Sequence, residues 1–546
     1  MAPRLSRRLR ALVAAAIAAA IVAALAGALL LRVTHPSADL WFSNPSYAND
    51  LSLNFEEKAS ALAARNWILF GDIDSNGGMY QPQALMPLGF LIHAGWYAVA
   101  GVSLADTRLP FMILAALTLL AMTWMGRRQL APPALAAFVV LAGWNATLVA
   151  FQRSCLDEHL LLTGLVVMAL WAPTPYARPR ALAAWGLLAC IAAAAKANGV
   201  VYAAAPVMAL ACDALRARRG RALRPLLALT LGVGAAAALT LGLYAALGFF
   251  RPNPFHDWMA EYNRARAFVP PLSGIADYLT AFERHLPIPA GTERPLLLLA
   301  LAAPFVLRET TFFTRAAWWG LALALVSGAP LYLYYKRMVP VVPLVFYLAA
   351  AGAQGLVERA RAGLSRRRQH ASHPTAPRES RAPAADLARR IAAVAWGTAA
   401  VVAAWIVLQV AVAGARETIA GNPRRPPLPG YRAMAAILNV TIPPGTVLAA
   451  PDTFRVVAFD TPFAYHFTHD MVARHVEHLG LADAVFRDAR AAGARVVLLP
   501  TDDPQDPGRH RFRVTAAGLA PQVFEAPAVS RLGSTAFALD RGGPLP

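Results

Sequence analysis

Two pairs of adjacent carboxylates stand out in a chain that is otherwise poor in acid. Glu56 and Glu57 open the stretch FEEKASALAARNWILFGD (55–72), directly after the first long hydrophobic run. A carboxylate at the edge of a membrane can take the proton of an attacking hydroxyl as a general base. The same pair would also suit the first turn of a helix, where the helix dipole favours negative charge. The run behind it, closed by Gly71 and Asp72, reads as a helix. The second pair, Asp157 and Glu158, follows Arg153 in FQRSCLDEH. Its structural use would be to cap the next helix, a frequent role of Asp, and that use is compatible with a chemical one. Cations flank these acids: Arg108, Arg153, Lys196, Arg266, Lys336 and Arg337, the last two preceded by Tyr335. Such groups can pair with an anion or stabilise negative charge that develops in a reaction. The chain uses Arg almost everywhere, and its only lysines are Lys58, Lys196 and Lys336. A compact ammonium at those three places suits a point-charge role that a guanidinium fills differently; chance retention of three codons is the competing account.

The elements that must position these groups are membrane helices. Hydrophobic residues make up 57% of the 546-residue chain and charged residues only 15%, and the mean hydropathy is +0.45. Apolar runs long enough to cross a bilayer recur along it, so a soluble protein is excluded. The net charge of +20 would suggest nucleic acid in a soluble chain. Here most of the Arg lies in short loops between apolar runs, the positive-inside pattern, so no nucleic-acid partner is expected. Cys155, Cys190 and Cys212 are scattered without metal spacing, and no structural disulfide is expected.

Arg4, Arg7, Arg8 and Arg10 precede an apolar run to about residue 31. That run is longer than a signal-peptide core of about 7–15 residues, which favours an uncleaved first span with its N-terminus in the cytoplasm. Residues 84–102 are apolar enough to cross, but counting them as a span reverses every later loop. They are therefore read as a helix at the membrane surface, with Trp96 and Tyr97 at interfacial depth. The remaining spans are expected near 109–126, 132–150, 159–172, two short ones within 182–212, then 225–249, 295–307, 316–334, 338–357 and 391–413. This makes about eleven transmembrane helices. It places Glu56, Glu57, Arg108, Arg153, Asp157, Glu158, Lys196, Arg266, Lys336 and Arg337 on the outer side. Residues 358–390 read as a basic, disordered cytoplasmic loop, and 414–430 as a linker. Residues 431–546 read as a small α/β domain outside the membrane, with helical patterns at 431–439 and 479–493 and strand-like runs at 446–450, 495–500 and 534–540. His475 and His478 could share a helix face there, but their spacing fits no specific metal motif.

The order of these features resembles the GT-C superfamily of membrane glycosyltransferases, most of all the lipid A aminoarabinose transferases and protein O-mannosyltransferases. The resemblance covers roughly residues 1–413. It rests on Glu56-Glu57 with Gly71-Asp72, the surface helix from Tyr80 to Gly101, Arg108-Leu109-Pro110, Arg153 with Asp157, and Lys196. It continues in Glu261-Tyr262-Asn263-Arg264-Ala265-Arg266 and in Tyr335-Lys336-Arg337-Met338-Val339-Pro340 with Pro343. The chain departs from the family at Gln81-Pro82-Gln83, where Lys-Pro-Pro is usual, at Tyr262, where His is usual, and at Glu56, where Asp is usual.

The resemblance implies a polytopic enzyme of the cytoplasmic (inner) membrane with a periplasmic C-terminal domain. It would move a sugar from a polyprenyl-phosphate donor to a lipid, glycan or protein acceptor, with inversion. Glu56 would be the base, with Glu57 and Asp157 orienting the reactants. Arg108, Arg153, Glu158, Lys196, Arg266, Tyr335, Lys336 and Arg337 would bind substrate. The resemblance leaves a divalent metal ion open as a cofactor. A transporter or flippase of a lipid-linked substrate is the alternative. It should show inverted repeats and helices interrupted at mid-membrane; no repeat is evident and the charges gather at one face. A structural or sensory role for the C-terminal tail would leave the membrane-side polar residues without a purpose.

Overall fold

In the computed structural model, the described residues are 2–36, 59–71, 73, 82–155, 157–174, 177–217, 223–250, 288, 291–328, 338–371 and 383–421, together with six strands between 447 and 537. Glu56, Glu57, Lys58, Asp72, Tyr80, Arg266, Tyr335, Lys336 and Arg337 lie outside them, as do the two helical patterns expected in the tail.

The first part of the chain is helical. In order come α1 (Ala2–Val33), α2 (Ala59–Phe70), the single turn α3 (Pro82–Leu85), α4 (Pro87–Ala100), α5 (Leu104–Gly126), α6 (Pro132–Gly143), α7 (Ala146–Arg153) and α8 (Glu158–Leu170). Then follow α9 (Pro179–Leu187), α10 (Ala189–Ala195), α11 (Gly199–Ala217), α12 (Leu223–Ala246), α13 (Glu293–Val306), α14 (Phe312–Gly328), α15 (Val341–Ala371) and α16 (Pro383–Gly421). The boundaries follow local chemistry. Pro87 opens α4, and Gly101, in the left-handed region at φ 87°, closes it. Ser103 caps α5: its Oγ accepts from Asp106 N at 3.1 Å and donates to the Asp106 carboxylate at 2.6 Å.

The expected count of eleven spans is corrected. Among the described residues six helices are long and apolar enough to cross a bilayer, or seven if α6 and α7, bent by 57°, count as one broken span. The reason is length. At a rise of about 1.5 Å per residue, the 13 residues of α8 and the 14 of α13 reach only about 20 Å. The hydrocarbon layer is roughly 30 Å thick. Apolar composition marked these segments in the sequence, but several are too short to span alone.

The core lies along α15, whose apolar window Val341–Gly363 is 83% buried, whereas the windows of α1 and α16 are 6% and 17% buried. Helices of the interior meet through small residues, as membrane bundles require. A Cβ on Gly352 of α15 would lie 2.2 Å from Leu299 O of α13, and one on Gly232 of α12 would lie 2.1 Å from Ala183 O of α9.

The expected α/β class of the tail is corrected too, since its described elements are all strands. They are β1 (Val447–Pro451), β2 (Ala464–Thr468), β3 (Ala494–Asp502), β4 (Arg509–Ala516), β5 (Gln522–Val529) and β6 (Ala536–Phe537). Their order is β2-β1-β3-β4-β5-β6. β1 pairs in parallel with β2 and β3, and the remaining neighbours are antiparallel. The expected strand-like runs at 446–450, 495–500 and 534–540 fall on β1, β3 and β6, whereas β2, β4 and β5 were not expected.

Candidate functional site

One end of the helical bundle collects polar side chains that have been drawn out of water. It is formed by the C-terminal ends of α1, α7 and α10 and the N-terminal ends of α2, α5 and α8. Five of the expected residues meet there: Arg108, Arg153, Asp157, Glu158 and Lys196. Arg153, Arg108, Asp157 and Glu158 are all at most 3% exposed.

The centre is the acidic pair. Asp157 occupies the N-cap position of α8, yet its side chain makes no capping hydrogen bond. The carboxylate is turned elsewhere. Its Oδ2 accepts a 3.3 Å bond from Ser60 Oγ in the first turn of α2. It also lies against the backbone of α4 at Gly89, where an added Cβ would be 1.7 Å from Oδ1 and 3.0 Å from Ser60 Oγ. Only glycine leaves room for the acid at that place. Glu158, fully buried in the first turn of α8, accepts a 2.5 Å ion-paired bond from Lys196 Nζ through Oε1. Its Oε2 has no hydrogen-bond partner among the described residues. A buried acceptor without a donor is costly, so this oxygen is suited to a hydroxyl or water brought in from outside. Lys196 sits at the C-cap of α10 in extended backbone, φ −164° and ψ 153°, which aims the side chain away from the helix that carries it.

Two arginines hold the segment that leaves α1. Arg153 Nη1 donates to Leu31 O at 2.6 Å and Thr34 O at 2.7 Å, and Nη2 donates to His35 O at 2.7 Å. Arg108 Nη1 donates to Pro36 O at 3.3 Å. His35 is in the left-handed region at φ 53°, the geometry in which a helix ends. These bonds satisfy the carbonyls that a helix C-terminus leaves open. They also hold Thr34, His35 and Pro36, the residues that follow α1.

A third arginine, absent from the sequence reading, secures the break between α6 and α7. Arg32 is fully buried. It donates to Gln152 Oε1 at 2.6 Å, to Ala28 O at 2.8 Å, to Gly143 O at 2.9 Å and to Ala142 O at 2.9 Å. On the other side of the break, Asn145 caps α7 by accepting from Leu148 N at 2.8 Å, and Thr418 of α16 donates to Trp144 O. The bend that delivers Arg153 and Asp157 to the site therefore has its freed backbone groups met by side chains.

α4 is seated by His93, which is stacked on Phe111 at 4.7 Å. Its Nδ1 lies 2.8 Å from Gly89 O and its Nε2 lies 3.1 Å from Thr107 O. Burial pushes the imidazole down to about 4, against the two backbone carbonyls, which raise it. Burial likewise raises the phenol of Tyr97, which is bonded to Thr107 Oγ1 at 2.7 Å.

Sequence reasoning missed Ser60, Gly89, Arg32 and Gln152. Of these, Gly89 and Arg32 left a signal, a glycine inside an apolar helix and a charge at the end of the first span. Glu56, Glu57, Arg266, Tyr335, Lys336 and Arg337 lie outside the described residues. Among the described residues no three His, Cys, Asp or Glu side chains come together as a metal ion would require.

No protein-family model and no curated protein sequence matches the chain. Solved structures do. The crystal structure of ArnT from Cupriavidus metallidurans bound to undecaprenyl phosphate aligns with 86% of this chain and 88% of its own, at a TM-score of 0.50 and 16% identity. Its apo state aligns with 83% and 86% at a TM-score of 0.47 and 15% identity. The apo oligosaccharyltransferase from Archaeoglobus fulgidus aligns with 95% and 77% at a TM-score of 0.45 and 10% identity. The likeness is one of architecture: the chain has a fold resembling that of the undecaprenyl-phosphate-bound ArnT structure.

Proposed function

We propose that this protein is an integral membrane glycosyltransferase. It moves a sugar from a polyprenyl-phosphate carrier to a lipid, glycan or protein acceptor at the outer face of the cytoplasmic membrane. The observation that carries this reading is the buried group of Asp157, Glu158, Lys196 and Ser60 at one end of a GT-C-like bundle. Its member Ser60, in the first turn of α2, lies three residues after Glu57. The solved ArnT of similar fold holds undecaprenyl phosphate, and a sugar ester of such a lipid phosphate is the donor class we assign.

Glu56 is the base. As the acceptor oxygen bonds to the anomeric carbon, the carboxylate takes the hydroxyl proton, and the bond from that carbon to the phosphate oxygen breaks. The polyprenyl phosphate leaves with the electron pair. One displacement inverts the anomeric centre. Glu57 and Asp157 orient the reactants, Glu158 and Lys196 hold sugar hydroxyls, and Arg108 and Arg153 act by fixing the segment that brings in Glu56. Arg266, Tyr335, Lys336 and Arg337 meet the lipid phosphate, where charge develops as the bond breaks. The multi-pass helical architecture supports an enzyme of the inner membrane, and we read its tail as periplasmic.

The test uses purified protein, undecaprenyl-phosphate-linked pentoses and hexoses, and envelope lipid and glycan extracts. Release of undecaprenyl phosphate is followed by mass spectrometry. The wild type releases it from at least one donor. Glu56→Gln, which keeps the size and loses the proton acceptor, does not, while its thermal midpoint is unchanged. Turnover retained in that variant removes Glu56 as the base; no release by the wild type from any donor refutes the reading as a whole.

A further inference from the structure

α10 ends at Ala195, and the last four carbonyls of a helix find no partner within it. One of them, Ala193 O, accepts a 3.2 Å bond from the hydroxyl of Tyr244 on α12. The same turn has no slack on its other sides. A Cβ on Gly199 of α11 would lie 1.8 Å from Ala192 O, and a Cβ on Gly164 of α8 would lie 2.6 Å from Ala192 Cβ. Tyr244 is buried, its ring edge-on to Phe249 with centroids 5.1 Å apart. It stands within range of the charges of Asp157 and Lys196. The helix end that carries Lys196 is thus clamped by two close helix contacts and one hydroxyl.

We infer that Tyr244 is a positioning residue of the transfer site: its hydroxyl fixes the Ala193 turn so that the Lys196 ammonium stays on Glu158. The role of the site rests on the glycosyl-transfer reading above, but the positioning can be measured without it. Tyr244→Phe keeps the ring and removes only the bond.

Two measurements on the full-length protein decide the matter. The first is labelling of the lysines by acetic anhydride, read by mass spectrometry. With three lysines in the chain, Lys58 and Lys336 serve as internal references for Lys196. An ammonium held on a buried carboxylate is protected from acylation. Tyr244→Phe is expected to raise the labelling of Lys196 several-fold relative to the other two, at an unchanged thermal midpoint. The second is turnover of the undecaprenyl-phosphate-linked sugar that the wild type uses. Tyr244→Phe lowers kcat/KM about tenfold, the effect of one hydrogen bond, and causes no further loss in a Lys196→Gln background. Unchanged Lys196 labelling overturns the inference. So does a loss of the same factor in both backgrounds, or a loss that tracks a fall in the midpoint. If the wild type turns over no donor, the functional reading fails while the labelling still decides the placement of Lys196.

Discussion

Gly89→Ala tests the seat of Asp157 with a single methyl group. The new Cβ would start 1.7 Å from Asp157 Oδ1 and 2.8 Å from Cγ. Real Cβ contacts stay beyond about 3.0 Å, so the carboxylate must retreat by about 1.3 Å or α4 must shift. Retreat breaks the bond from Ser60, and α4 is held by His93 across to Thr107. Overpacking of this kind costs about 1–3 kcal/mol of stability. Displacing a positioned group by about 1 Å can lower a rate about a hundredfold. We expect the purified variant to lose about two orders of magnitude in kcat, with a thermal midpoint lower by a few degrees. Gly95→Ala is the control. It lies on the same helix with nothing within 4 Å of its added Cβ, so turnover and midpoint should remain as in the wild type. Turnover of Gly89→Ala equal to that of Gly95→Ala would refute the placement of the Asp157 carboxylate in the working site.

Arg153→Gln removes most of three bonds to the carbonyls that close α1. A bond to a charged donor contributes about 1.5–3 kcal/mol, so the variant should unfold several degrees earlier in detergent. Arg153→Lys should not restore the midpoint, because a point charge cannot reproduce the guanidinium fork; a wild-type midpoint in either variant would contradict the bonding described. Lys336→Gln and Arg337→Gln should each raise the donor concentration needed for half-maximal rate by about one to two decades, with little change in acceptor dependence. Steady-state kinetics with varied donor check this, and an unchanged donor dependence in both would assign these cations to headgroup snorkelling.

What could be seen in advance was the set of charges a membrane does not tolerate without a reason. Arg108, Arg153, Asp157, Glu158 and Lys196 are separated by up to 88 positions, yet their placement on alternate loops already grouped them on one side. Their partners were not legible in the same way. Ser60 is one of many serines, and nothing in its neighbours says that it meets Asp157 across 97 positions. Asp157 itself looked like a helix cap, and only the geometry shows the cap position occupied without the capping bond. Span counting failed for another reason. Hydropathy reports how apolar a segment is, whereas crossing depends on how far its helix runs, and α8, α13 and the bent pair α6–α7 separate the two. Likewise, the sequence shows Arg32 only as a charge at the end of the first span, whereas it binds backbone more than a hundred residues away.

That long-range bond bears on how the chain is assembled in the membrane. α1 leaves the ribosome first, and the carbonyls that Arg32 will bind follow 110 and 111 residues later. Thr418, which meets the same break, follows after 274 more positions counted from Trp144. Throughout that interval Arg32 is a lone guanidinium near the end of an apolar segment. Inserting such a charge at mid-bilayer costs about 2.5–3.5 kcal/mol on translocon scales, but near a helix end the side chain can reach up to the headgroups. A nascent α1 can therefore hold Arg32 at the headgroups until the α6–α7 elbow supplies Ala142 O and Gly143 O. A nascent chain arrested before residue 142 leaves Arg32 with Ala28 O of its own helix and without the elbow carbonyls it binds in the finished fold.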